Sequence, residues 1–126
     1  MNISRDFNYL SMDDDYISGI KETYLFKNKI RKGIIYCIKS LNSNLIYIGS
    51  TKQSLATRKA KHIYDSKKEH RIKPVHRIIN ANGGFQNFQM KLLKEVDDIS
   101  LLLLVEKKII DDYKNNDNYK LMNTYN

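Results

Sequence analysis

One cysteine and one proline stand in these 126 residues; glycine occurs five times and tryptophan not at all. The lone thiol, Cys37, excludes an internal disulfide, so a reducing intracellular setting is expected, cytoplasm or nucleus. No apolar run approaches the roughly 20 residues that cross a bilayer. The longest, Leu101–Val105, is far too short, and no membrane association is expected. The first residues lack the basic-then-apolar order of a secretory signal. Internal repeats and low-complexity tracts are also missing. What remains is ordinary globular composition, 41% hydrophobic and 29% charged, in a length that predicts one domain with a modest core.

The net charge of +8 is unevenly spread. Residues 1–30 carry four basic and five acidic groups. Lys52–Arg77 carries nine basic and two acidic groups, hence +7 in 26 residues. A concentrated basic segment is the footprint of a polyanion partner, and equally the mark of a solubilising surface. Charge alone does not separate the two.

Residues 1–30 read as an N-terminal extension, with Asp13–Asp15 placed to cap a helix over Tyr16–Phe26. Its face of Tyr16, Ile17, Ile20 and Tyr24 would suit a second copy of the chain or a protein partner. Residues 31–126 read as the main domain. Gly33–Ser40 and Leu45–Thr51 are rich in β-branched and aromatic residues around an Asn42-Ser43-Asn44 turn, which predicts a β-hairpin. A helix is expected over Leu55–Lys67 behind the N-cap Ser54. A second is expected from Pro74 to just before Gly83-Gly84. Phe88–Val96 predicts a third strand, and Ser100 is placed to cap a last helix over Leu101–Tyr113. The class is α+β: a small three-stranded, mostly antiparallel sheet flanked by helices.

Three local arrangements stand out. A hairpin loop of two or four residues pairs positions whose numbers sum to 85. Tyr36 then lies opposite Gly49 and Tyr47 opposite Ile38, with both phenols on one face and room beside Tyr36, whereas a three- or five-residue loop would put them on opposite faces. The pair suits either a half-buried core or a site. Arg58 and His62, four apart, share one helix face. An Arg fork fits phosphate oxygens and a His moves protons near neutral pH, but a solvated basic face has the same composition. Glu106 has Leu102, Leu103, Ile109 and Ile110 as its helical neighbours, so it lies within an apolar stripe. A carboxylate there costs several kcal/mol if unpaired. It calls for a metal, Arg or Lys partner, unless it reaches solvent from the stripe's margin.

These residues carry a resemblance. The chain resembles the GIY-YIG nucleases over about three quarters of its length. Ile34-Ile35-Tyr36 stands where that family has its first triplet, with Gly33 one place early, and Tyr47-Ile48-Gly49 is the second triplet in full. Arg58 and His62 stand at the helical Arg and the His four positions on. Glu106, in VEKKIIDDY, looks like the metal-binding glutamate, and Asn123, in LMNTYN, like the late asparagine. GGFQNFQMKLLKEV resembles the glycine turn and third strand.

The resemblance implies a metal-dependent DNA endonuclease. Tyr36 would be the general base or orient the attacking water. A free phenol, with a pKa of about 10, is ionised about once in a thousand at pH 7, so it would need help from Arg58, the metal or His62. Tyr47 would bond the phosphate or the water, Arg58 would clamp nonbridging oxygens, and Glu106 would hold one Mg2+ or Mn2+. Gly49, Lys52, Lys59, Lys61, Lys67, Lys68, Arg71, Lys73, Arg77 and Asn123 would follow the DNA backbone. His70 and His76 would be secondary contacts to the DNA or, as expected here, plain surface histidines. An inactive DNA-binding module of the same fold is the alternative. A structural or interaction protein, with the extension as a docking helix, is a further one. The Lys, Ile, Asn and Tyr content points to an AT-rich genome, hence a virus, phage or mobile element.

Overall fold

A computed structural model of the chain describes residues 32–123. The expectations for the extension over residues 1–30 lie outside the described residues. Strand β1 (Gly33–Ser40) and strand β2 (Leu45–Thr51) pair antiparallel, with Tyr36 opposite Gly49 and Ile38 opposite Tyr47, the register that a four-residue loop requires. Ser40 shapes the loop: its Oγ accepts from the amides of Asn42 and Ser43 at 3.1 and 3.0 Å. Strand β3 (Phe88–Val96) pairs antiparallel with the other edge of β1, and the register slips between Ile35 and Tyr36 as a β-bulge.

A fourth strand corrects the expected three-stranded sheet. β4 (Lys120–Leu121) pairs parallel with β2, giving the order β3-β1-β2-β4. Two residues are too few to show alternation in a sequence. Backbone and side-chain bonds to β2 define the segment: Met122 N donates to Ile46 O at 2.7 Å, and the Asn123 carboxamide then bonds both polar groups of Ile48.

Helix α1 (Leu55–Ser66) starts as expected, with Ser54 Oγ accepting from Thr57 N at 3.1 Å. Helix α2 (Pro74–Ala81) opens on its proline and stops before Gly83 and Gly84. Both glycines hold positive φ, 97° and 87°, which a side chain would strain. Helix α3 (Leu102–Lys114) begins later than expected, and Ser100 does not cap it. Ser100 lies in a 3-10 turn, Ile99–Leu101, where its amide and hydroxyl donate to Asp98 at 3.0 and 2.6 Å. Asp98, an ionised acceptor in reach of two donors, takes the capping part.

The sheet is packed on both faces. Alternation along β1 and β2 sends Ile35, Cys37, Ile46 and Ile48 against Leu102 and Ile110 of α3. It sends Tyr36 and Ile38 to the other face, with Val75 and Ile79 of α2 and Phe88. Gly33 is needed on the α3 side, because a Cβ there would lie 2.7 Å from Leu102 side-chain carbons. The α3 stripe also differs from expectation: Leu103 is 74% exposed, and the inward side is formed by Leu102, Val105, Ile109 and Ile110. Among the described residues no helix is long and apolar enough to cross a membrane.

Candidate active site

Tyr36 projects from β1 toward α1, where the four-residue spacing brings Arg58 and His62 onto the same side. Its hydroxyl is the meeting point: Arg58 Nε donates to it at 3.2 Å, and it lies 2.7 Å from His62 Nε2. The Tyr36 oxygen already accepts from Arg58, so its proton is free to go to His62. Leaving that buried O–H without an acceptor would be costly. Gly49 makes this packing possible. A Cβ there would meet the Tyr36 hydroxyl oxygen at 2.5 Å. Gly49, expected along the DNA path, is instead a buried backbone position that leaves room for the phenol.

Burial sets the proton affinities of this group. It pushes the Tyr36 phenol up, against the hydrogen bond and positive charge of Arg58. Tyr47 is pushed up to about 12, by burial first and then by the Tyr36 and Glu106 side chains. Burial, with the Arg58 charge behind it, takes His62 down to about 4, so the ring is a neutral acceptor at pH 7.

Glu106 reaches across the sheet edge from α3. Ser50 Oγ, at the end of β2, donates to its Oε1 at 2.6 Å. Among the described residues its hydrogen-bond partner is thus a hydroxyl, and of the expected cations (a metal, an Arg or a Lys) neither an Arg nor a Lys pairs with it. The carboxylate lines a cavity of about 380 Å³ with Tyr47, Lys73, Asn123 and the start of α2. Tyr36 and Arg58 do not line this cavity. They stand behind Tyr47, whose ring centre is 6.4 Å from that of Tyr36 and 5.9 Å from that of His62. Asn123 uses its carboxamide on Ile48, accepting at 3.0 Å and donating at 2.8 Å, which leaves one N–H for a substrate.

The donor set fits a hard divalent cation. Among the described residues no three His, Cys, Asp or Glu side chains cluster as a metal cage. Glu106 instead offers a single carboxylate at an open cavity, with Oε1 held by Ser50. Mg2+ takes one or two carboxylates and completes its shell with water and phosphate oxygens. A softer ion would call for the sulfur and imidazole donors that this cavity lacks.

The basic residues sort into two groups. Lys52, Lys59, Lys67, Arg71, Lys73 and Arg77 are exposed. Lys61 and Lys68 both pair with Asp65, at 3.2 and 3.3 Å, although its carboxylate is only 7% exposed. Burial alone would lift that carboxyl; the two lysines outweigh it and hold it below its ordinary range. His70 is exposed, as expected. His76 is not: it is wholly buried, with Nε2 2.8 Å from His62 Nδ1. The argument that singled out Glu106 applies to it, since Val75 and Ile79 flank His76 on the inward side of α2. Ser50 was also missed. Its only signal is a polar residue closing the Ile46, Ile48 alternation on the α3 face.

Residues 32–123 match a family model described as the GIY-YIG catalytic domain. A protein of Invertebrate iridescent virus 6, named Putative MSV199 domain-containing protein 146R, is 42% identical over 86 residues. That match covers 67% of this chain and 34% of the viral protein, so the matched region is about a third of the relative's length. No solved structure matches the chain.

Proposed function

Since the chain belongs to the GIY-YIG catalytic-domain family, a nuclease family, we propose that it is a metal-dependent endonuclease that hydrolyses DNA phosphodiester bonds at a single site. The observation that carries this reading is the placement of Tyr47. This one phenol lines the cavity that holds Glu106 and also packs against the Arg58–Tyr36–His62 group. Tyr47 thereby links the Glu106 cavity to the Arg58–Tyr36–His62 group behind it.

Phosphodiester hydrolysis needs roughly 8–23 kcal/mol removed from its barrier. Among the described residues the two terminal nitrogens of Arg58 have no partner, so they can grip nonbridging oxygens in the fork geometry that suits phosphate. Tyr47, with its pKa near 12, stays a hydroxyl at pH 7 and donates to the phosphate or the water rather than acting as a base. Tyr36 accepts the proton of the attacking water as its own proton passes to His62 Nε2, so no free phenolate is required. Lys73 puts a positive charge on the cavity wall, which favours an anion. Glu106 would hold the single Mg2+ or Mn2+ ion, with Ser50 fixing one of its oxygens. When bound, that ion would offset the negative charge that develops on the leaving 3′ oxygen. The viral relative is in keeping with a viral or mobile-element source.

Nicking of supercoiled plasmid with Mg2+ or Mn2+ tests this reading. The wild-type protein should nick, EDTA should stop it, and Glu106→Ala should cut the rate by about 10²–10³, the range typical of losing one transition-state contact. DNA binding without metal-dependent nicking would instead indicate a binding module of the same fold.

A further inference from the structure

His76 has no place in the chemistry so far, yet its surroundings are unusual. It is 0% exposed, its Nε2 meets His62 Nδ1 at 2.8 Å, and its Nδ1 is buried without a hydrogen-bond partner. Its ring stands edge-on to His62 with centres 5.1 Å apart, and Phe85 lies 6.4 Å from both rings. An unpartnered polar atom in a core is rare enough to need a reason.

The hydrogen bonds have a direction. Arg58 Nε can only donate, so the Tyr36 oxygen accepts from it and the Tyr36 proton goes to His62 Nε2. A neutral His62 that accepts at Nε2 carries its proton on Nδ1 and donates to His76 Nε2. His76 then carries its own proton on Nδ1, the orphaned atom. The opposite direction would orphan two groups, the Tyr36 O–H and the His76 Nδ1 lone pair.

We propose that His76 is a positioning and proton-relay residue, the inner end of a chain running from Tyr36 through His62. The proposal rests on the nuclease reading above. As the water oxygen bonds to phosphorus and the bond from phosphorus to the 3′ oxygen breaks, the water proton moves to the Tyr36 oxygen. The Tyr36 proton moves to His62 Nε2, and the His62 Nδ1 proton moves to His76 Nε2. His76 becomes an imidazolium, while the 3′ oxygen takes a proton from solvent. After product leaves, the proton returns through His62 and Tyr36 to water. Burial lowers the proton affinity of both rings, so neither stores the charge: the proton passes along the pair and returns within the turnover. The charged groups that act on His76 are Arg58 and Asp65 of α1, Lys68 just beyond it and Lys73 before α2, and only Asp65 favours the imidazolium.

Two measurements decide it. Long-range proton–nitrogen spectra of the wild-type protein at pH 7, with no DNA present, should show His62 and His76 both neutral and both protonated at Nδ1. Rings protonated at Nε2 overturn the relay, whatever the protein's activity. In His76→Gln an oxygen still accepts from His62 Nδ1–H, but the side chain cannot take up a proton. Its plasmid-nicking kcat should fall on the order of 10²-fold, with KM within about twofold of wild type and the acid limb of the pH–rate profile displaced. Full kcat in folded His76→Gln overturns the relay; if that variant does not fold, the wild-type spectra still decide. Nδ1 tautomers in a protein that nicks no DNA would defeat the nuclease reading and the catalytic use of the chain together. Nε2 tautomers in an active nuclease would defeat the relay alone.

Discussion

Acidification from pH 7 to pH 4 should destabilise the domain through its buried histidines, and the size follows from His62. The ring is 2% exposed and its folded pKa is about 4, against an ordinary value of 6.5. The unfolded chain therefore binds a proton more readily, and stability present above pH 6.5 is lost as pH falls toward 4. Linkage gives a loss of roughly 2 kcal/mol by pH 5 and about 3 kcal/mol by pH 4 from this ring alone. His76, also shifted down by burial, adds in the same direction. Asp65 does not confuse the window, because its carboxyl is held below 3.8 and its contribution is lost only at lower pH. Against a typical total of about 5–15 kcal/mol, this loss is large enough to measure. Urea unfolding at pH 7, 6, 5 and 4.5 is the assay, with His62→Gln as the comparison whose profile should flatten. Equal wild-type stability at pH 6.5 and pH 4.5 would show that His62 is not buried as a neutral acceptor.

Other outcomes follow from the same geometry. Gly49→Ala places a Cβ 2.5 Å from the Tyr36 oxygen and 2.6 Å from its ring carbon. That phenol is held by Arg58 and His62, so we expect a stability cost of about 1–3 kcal/mol and a loss of cleavage; an unchanged melting temperature and nicking rate would refute the close packing. DNA affinity should fall with salt at about −0.9 in log–log slope per neutralised phosphate, and Lys59→Ala or Arg77→Ala should flatten the slope by about 1. A slope near zero at the outset removes the case for the basic segment as a binding surface.

Much of the site was legible because its logic is local. Period-two alternation and loop length determine which residues face each other across the hairpin, so the pairing of Tyr36 with Gly49 follows from counting. The i, i+4 rule joins Arg58 and His62 in the same way. The chemical roles came from resemblance; the residue pattern alone left each arrangement with an ordinary structural explanation. Tertiary features were not legible. A two-residue strand such as β4 has no pattern of its own and exists because Met122 and Asn123 bond to β2. The α3 stripe was misdrawn at Leu103, since helical periodicity does not say which neighbouring face meets the sheet. Ser100 was misjudged because Asp98, two residues earlier, is the stronger acceptor. His76 is buried, against the surface expectation, because it shares an apolar helix face with Val75 and Ile79.

The central claim is that Arg58 on α1 and Glu106 on α3 serve one phosphate. Plasmid nicking by Arg58→Ala, Glu106→Ala and the double variant measures this directly. Residues that act as a unit are strongly non-additive, so the double variant should be little slower than the worse single one. Losses that multiply, or a single variant that nicks at the wild-type rate, would contradict a shared site.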